Sequence, residues 1–145
     1  LAQGVFESLV KEEGQQDRII ISSAGVSGWH VGNPPDVRMQ QTAREHGIHL
    51  NSRGRQFQSS DFEQMDLVLA MDHSNLSALK QMRPEPELQD KLFLFRSFDP
   101  QHNNDLDVPD PYYGGDKGFE TVYQIVERTC PKVLDHLKMM LAKKA

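Results

Sequence analysis

Three short apolar runs constrain most strongly what this chain can fold into. They are RIIIS (Arg18 to Ser22), DLVLAM (Asp66 to Met71) and KLFLF (Lys91 to Phe95). Continuous hydrophobicity over so few residues is typical of a strand that is buried on both faces, as in a parallel sheet covered by helices. The runs therefore predict strands of a parallel sheet.

Segments with helical spacing lie between and beside these runs. The first is predicted to end at Gly14 and has an apolar face made of Val5, Phe6, Leu9 and Val10. A second helix is predicted from about Pro35 to His46, opened by prolines and closed by Gly47. The alternation of helices and strands indicates an α/β fold.

Two more helices complete the pattern. The segment DHSNLSALKQM follows the second apolar run, and Asp72 or Ser74 is its predicted cap. The last helix is predicted to begin at Asp116, to run towards the C-terminus and to bend at Pro131. A length of 145 residues with 37% apolar residues suits one domain.

Composition narrows the class of partner. The net charge of −5 provides no basic stripe, so neither nucleic acid nor a membrane surface is an expected partner. The single cysteine, Cys130, excludes an intrachain disulfide, favours the cytoplasm and is predicted to be a packing residue. Histidines at 30, 46, 49, 73, 102 and 136 lack a metal-ligand spacing, so no metal site is expected.

The segments that leave the strands are the places to search for chemistry, because ligands of open α/β sheets bind beyond the carboxyl ends of the strands. One of them reads DLDVPDPYYGGD and holds Asp110 between two prolines, which keep the backbone extended. Tyr112 and Tyr113 follow, so a partly desolvated general acid is one interpretation. A proline-rich turn with surface tyrosines is the other.

Five segments in order resemble the low-molecular-weight protein tyrosine phosphatases. They are GVFESLV, SSAGVSGWHVGNPPDVRMQQTAREHGIHL, RGRQF, DLVLAMDHSNL and VPDPYYGGDKGFETVYQIVE, and they span nearly the whole chain. The resemblance implies one domain over residues 1–145 with three α/β/α layers. It also implies a parallel sheet of four strands in the order 2-1-3-4.

The same resemblance implies roles for five residues. Asp110 corresponds to the general acid that protonates the leaving phenol of phosphotyrosine. The remaining four are a residue that supports the phosphate loop and the aromatic residues that flank the substrate ring, namely Ser23, Trp29, Tyr112 and Tyr113. Without the resemblance, Trp29 would be interpreted as packing over the edge of the sheet. Asp72, at the end of a strand, would be interpreted as a phospho-accepting or metal-binding carboxylate or, equally well, as a helix cap.

The family's phosphate loop has the form Cys-x-x-x-x-x-Arg-Ser/Thr-Pro and directly precedes the segment that corresponds to LAQGVF. The resemblance therefore implies that the chain from Leu1 lacks the first strand, the nucleophile and the phosphate cradle. It is predicted to be an N-terminally incomplete part of a longer enzyme and to be inactive by itself. Cys130 is no substitute, since no arginine follows it at the required spacing.

The function implied by the resemblance is hydrolysis of phosphotyrosine proteins or small aryl phosphates through a cysteinyl-phosphate intermediate. It requires no cofactor and no metal, and it implies a cytoplasmic monomer or weak homodimer. Two alternatives remain open at this point: a phosphotyrosine-binding module without catalysis, and an arsenate reductase. The single cysteine argues against the second alternative.

Overall fold

A computed structural model describes residues 1–25, 32, 36–50, 54–110 and 115–144, with the backbone alone at 115, 116 and 144. The helices in the described part are α1 (Ala2–Glu12), α2 (Val37–Glu45), α3 (Asp61–Gln64), α4 (His73–Met82), α5 (Pro86–Gln89) and α6 (Gly115–Lys144). The strands are β1 (Val68–Ala70) and β2 (Leu92–Leu94), and a 3₁₀ helix spans Phe95–Phe98.

Two of the three predicted strands form a parallel pair. Val68 lies opposite Leu92 and Ala70 lies opposite Leu94, with α4 as the main element of the crossover between the strands. These four residues are buried, as expected for a strand inside a covered sheet. The α/β class with a small parallel sheet is therefore confirmed.

The prediction of a third strand at Arg18–Ser22 is wrong. The structure assigns no strand to these residues, and Ile20 is 94% exposed. The amides of Arg18 and Ile19 donate to the carbonyl of Gln15 in the turn after α1. A strand requires a ladder of backbone hydrogen bonds, and no described segment supplies one beside this run. Its apolar composition alone places Ile19 and Ile21 against the core.

The two sequence-predicted glycine stops are confirmed. Gly14 and Gly47 follow α1 and α2 with φ of 70° and 77°, a region that glycine enters without a steric cost. The start of α2 differs from the prediction, since Asp36 is its cap and its carboxylate accepts the N–H of Arg38 at 2.8 Å. The prolines at 34 and 35 lie outside the described residues.

The structure also shows where the other two predicted helices begin. Asp72 rather than Ser74 caps α4, because its carboxylate accepts the N–H of Asn75 at 2.7 Å. The α6 helix begins at Gly115, so Asp116, the predicted cap, is already inside it. The helix continues through Pro131 as one element.

The sheet lies between two apolar clusters. Val68 and Ala70 of β1 belong to a cluster with α3, α4 and β2, whereas their neighbours Leu67, Leu69 and Met71 pack against a cluster built mainly by α1 and α6. Successive residues of a strand point to opposite faces, so β1 separates the clusters. The arrangement is helix, sheet, helix.

The cluster between α1 and α6 contains Cys130. The residue is 1% exposed, and burial raises the pKa of its thiol to about 12. The predicted packing role is confirmed. In the part of the chain that the structure describes, no helix has the length and apolarity needed to cross a bilayer.

Candidate active site

The carboxyl ends of β1 and β2 meet at one edge of the sheet because the strands are parallel. Residues 105–110 return to this edge. The amide of Val108 donates a hydrogen bond of 2.8 Å to the carbonyl of Met71, the residue that follows β1. Asp110 is two residues further, so its Cα lies within about 7 Å of that of Val108.

A second contact ties the same segment to the start of α4. The carboxylate of Asp107 accepts the backbone N–H of His73 at 2.8 Å and also contacts Nδ1 of the His73 ring. The N–H groups of a first helical turn have no partner within the helix, and the positive end of the helix dipole favours a carboxylate there. Asp107 therefore holds residues 105–108 against α4.

A buried carboxylate lies behind this segment. Asp99 is 1% exposed and accepts hydrogen bonds from Nε of Arg96 at 3.0 Å and from the Gln101 amide at 2.8 Å. Arg128 of α6 adds two more, at 2.8 and 2.9 Å. Burial by itself would raise the pKa of Asp99, but the hydrogen bonds from Arg128, Gln101 and Arg96 lower it to about 2. The carboxylate is charged and fully paired.

Arg96 connects this buried carboxylate to the segment before Asp110. Its Nη1 donates to the backbone carbonyl of Asp107 at 2.9 Å and lies 3.2 Å from a carboxylate oxygen of Asp105. The side chain is 10% exposed. One guanidinium therefore bridges Asp99 to the backbone carbonyl of Asp107 and the carboxylate of Asp105.

Aromatic neighbours are predicted for Asp110. Asp110 itself is exposed, whereas the sequence predicted partial desolvation by the tyrosines that follow it. Tyr112, Tyr113 and Trp29 lie outside the described residues. The role of Asp110 and the aromatic walls remain predictions.

Ser23, the other predicted site residue, is exposed and donates a hydrogen bond from its Oγ to the side-chain oxygen of Gln3, in the first turn of α1. Two residues later, Gly25 bonds in both directions to residues 55 and 57 through its N–H and its carbonyl, at 2.7 and 2.8 Å. The turn after residues 18–22 is thus held between α1 and the RGRQF segment. The role of Ser23 remains a prediction.

Sequence reasoning missed the residues that organise residues 105–110. Arg96 and Asp99 are close in sequence, but Arg128 lies 29 positions after Asp99, and no local pattern reports such a pairing. The available signal was a charged arginine and aspartate directly after an apolar strand, at its carboxyl end. Charges in such a position are rarely buried unless they are paired.

Two depressions, of about 250 and 240 Å³, lie along α1. They are lined by residues of α1 and by parts of residues 16–21 and 47–49, and they contain none of the predicted site residues. Within the described ranges, no group of three or more histidine, cysteine or acidic residues has an arrangement that could hold a metal ion. The candidate site is therefore located at the carboxyl edge of the sheet, where residues 105–110 lie.

Known proteins share this architecture. A family model described as low molecular weight phosphotyrosine protein phosphatase matches residues 1–143. A low molecular weight protein-tyrosine-phosphatase of Streptomyces coelicolor is 42% identical over 128 residues, which cover 88% of this chain and 78% of that protein.

Two solved structures superpose closely on the chain. A protein tyrosine phosphatase from Entamoeba histolytica matches with a TM-score of 0.89 and 31% identity, covering 95% of this chain and 87% of that one. DARP, a Drosophila arginine phosphatase, matches with a TM-score of 0.85 and 34% identity, covering 94% of this chain and 88% of its own.

Proposed function

This chain belongs to the low molecular weight phosphotyrosine protein phosphatase family, and we propose that its protein hydrolyses phosphotyrosine and small aryl phosphates with Asp110 as the general acid. The observation that carries the proposal is the hydrogen bond from Val108 to the carbonyl of Met71. It supports a position for Asp110 beside the carboxyl edge of a parallel sheet, where ligands of such folds bind.

The proposed reaction has two steps. A cysteine thiolate attacks phosphorus, the bond from phosphorus to the phenol oxygen breaks, and Asp110 gives its proton to that oxygen. In the second step the Asp110 carboxylate takes a proton from a water that attacks phosphorus, and the thiolate leaves. The net reaction is hydrolysis, and the acid is regenerated.

Cys130 does not supply the thiolate. It is buried between α1 and α6, and its raised pKa of about 12 keeps the thiol protonated at neutral pH. The proposed nucleophile is the cysteine of the family's phosphate loop, which in the resemblance precedes the segment LAQGVF. The experiments below use the complete, full-length protein.

The exposure of Asp110 fits a site that is completed by its substrate. An aryl ring held between Trp29 on one side and Tyr112 and Tyr113 on the other would remove water from the carboxyl group as the substrate binds. We propose this aromatic role for the three residues.

The test compares leaving groups. In the complete protein, Asp110→Asn is expected to lower kcat/KM for phenyl phosphate about 10²- to 10⁴-fold, because this phenolate leaves poorly without a proton. A phosphate ester of a strongly acidic phenol should be affected little, and binding of inorganic phosphate should be retained. Asp135→Asn, on the exposed side of α6, is the matched control. Equal rates of Asp110→Asn and the parent on phenyl phosphate would contradict the role.

The alternative of a non-catalytic phosphotyrosine-binding module is decided in the same preparation. It predicts that the complete protein binds a phosphotyrosine peptide in calorimetry and leaves it intact over hours. Release of phosphate from that peptide excludes the alternative. The proposed hydrolysis requires release that disappears when the nucleophilic cysteine is replaced by serine.

Two other substrates need a direct comparison. Arsenate reduction requires a thiol cascade, and the single buried Cys130 does not provide an accessible second thiol in this chain. The likeness to an arginine phosphatase makes a phosphoarginine peptide the appropriate competitor. We expect kcat/KM to favour the phosphotyrosine peptide, and a preference for phosphoarginine or thiol-dependent arsenate turnover would replace our proposal.

A further inference from the structure

We propose that Arg96 is a positioning residue that ties the segment carrying Asp110 to the buried carboxylate of Asp99. The inference rests on the proposed role of Asp110 as general acid and adds the residue that sets its orientation. Arg96 touches neither the substrate nor the reacting atoms in this proposal. It acts through the backbone of residues 105–107.

The guanidinium of Arg96 donates in two directions. Its Nε reaches Asp99 at 3.0 Å, and its Nη1 reaches the carbonyl of Asp107 at 2.9 Å. The planar fork of arginine makes such bridging possible, whereas the point charge of lysine cannot satisfy both acceptors in the same geometry. Because the side chain is 10% exposed, water competes weakly for these bonds.

The anchor of this bridge is rigid. The side chain of Asp99 is fully buried. Apart from its bond to Arg96, it accepts two hydrogen bonds from Arg128, a residue of α6. The α6 helix packs along α1, the 3₁₀ helix and α2. A carboxylate with partners on two elements keeps its position when the loop side of the bridge is disturbed.

The other end of the bridge is a segment without regular structure. Residues 99–110 contain neither helix nor strand, and Asn103 and Asn104 have φ of 49° and 68°, which marks tight turning. The conformation of such a segment depends on its tethers. Arg96 holds Asp107 on one side, while His73 and Met71 hold Asp107 and Val108 on the other.

These tethers end directly before Pro109, whose ring fixes its own φ. The direction of the backbone at Val108 is therefore passed on to Asp110. A general acid must lie within hydrogen-bond reach of the leaving oxygen, and a misplacement of about 1 Å can cost about 10²-fold in rate. Loss of one tether among several is expected to cost about tenfold.

The kinetic test uses two arginine variants in the complete protein. Arg96→Lys retains a charge beside Asp99 and loses the bridge. Arg83→Lys is the matched control, because the hydrogen bonds of the Arg83 guanidinium go to Glu85, Ser59 and Glu63. We expect Arg96→Lys to lower kcat/KM for phenyl phosphate about tenfold, and for an ester of a strongly acidic phenol less than about twofold. Arg83→Lys should leave the ratio of the two rates at its parental value.

A second variant and a second readout guard against loss of folding. Asp105→Ala changes a side chain that is 68% exposed. It removes the ion pair with Arg96 and the hydrogen bond of 3.2 Å that Asp105 accepts from the N–H of Asp107. The fold should be retained, and the leaving-group effect should be smaller and in the same direction. Hydrogen exchange of the Val108 amide, which bonds to Met71, reports the tether without catalysis. It should accelerate in Arg96→Lys and Asp105→Ala and stay at the parental rate in Arg83→Lys.

The outcomes separate this inference from the proposed function. If Asp110→Asn keeps the full rate on phenyl phosphate, the acid role fails and the positioning role fails with it. If Asp110→Asn is slow while Arg96→Lys shows no leaving-group dependence, the positioning role alone is wrong. Unchanged Val108 exchange in folded Arg96→Lys and Asp105→Ala also overturns it.

Discussion

The carboxylate of Asp99 meets the guanidinium of Arg128 through two hydrogen bonds, of 2.8 and 2.9 Å, and is buried completely. This pair joins α6 to the residues that follow the 3₁₀ helix. Arg96 takes a further position on the same carboxylate, so the pair is also the anchor of the segment before Asp110. Stability and the geometry of the candidate site thus depend on one buried charge.

This arrangement predicts a specific acid sensitivity. The pKa of Asp99 is lowered from 3.8 to about 2, so its contribution to stability is present above about pH 4 and is lost as the pH falls through about 2. The shift corresponds to about 2 kcal/mol. Urea unfolding between pH 7 and pH 2 should show this loss in the parent protein.

The matched variants for that measurement are Asp99→Asn and Asp135→Asn. Asp99→Asn leaves Arg128 without its charged partner and Arg96 with the exposed Asp105 alone, so a loss of about 3–5 kcal/mol at pH 7 is expected. Asp135 is exposed on α6, and its replacement should leave the pH profile unchanged. A parallel pH profile for the parent and Asp99→Asn would show that Asp99 is not the group responsible.

The second apolar cluster predicts a large effect at Phe62. This side chain is completely buried, and its ring contacts that of Phe57 edge-on at a centroid distance of 5.1 Å. Phe62→Ala should lower the free energy of unfolding by about 3–5 kcal/mol, because it removes apolar contact and leaves a cavity. Phe57→Ala, at a partly buried position, should cost less. Equal costs in urea unfolding would contradict the burial order.

Gly47 predicts a backbone effect separate from packing. Its φ is 77°, and a Cβ added there would meet no heavy atom within 4 Å. Gly47→Ala should therefore cost about 1 kcal/mol through left-handed strain alone. Asparagine tolerates this region better, so Gly47→Asn should retain more stability in thermal unfolding. The reverse order of the two variants would exclude backbone strain as the cause.

The buried thiol predicts slow chemistry. Cys130 is 1% exposed, and burial raises its pKa to about 12, so little thiolate is available to a reagent at pH 8. A disulfide reagent should label the folded chain roughly a hundredfold or more slowly than the urea-unfolded chain. Rapid labelling without denaturant would show that the packing of α6 against α1 opens readily.

The runs DLVLAM and KLFLF predicted β1 and β2 correctly because a strand covered on both faces needs apolar residues at successive positions. Asp72 and Gly14 predicted the start of α4 and the end of α1 through local hydrogen bonding and φ. The run RIIIS has the composition of a strand, but the strand prediction for it is wrong. Pairing with a neighbouring strand is not a property of the run itself.

The order of residues is enough to predict the alternation of helices and strands, the likeness to the phosphatase family and the proline-flanked carboxylate at 110. These are properties of neighbouring residues, which periodicity and motifs report. The contact of Arg96 with Asp107 spans 11 positions and that of Arg128 with Asp99 spans 29, and both become visible only in the folded chain. Such contacts depend on the path of the whole backbone. A buried charge is costly unless it is paired, and the fold determines which partner lies within hydrogen-bond distance.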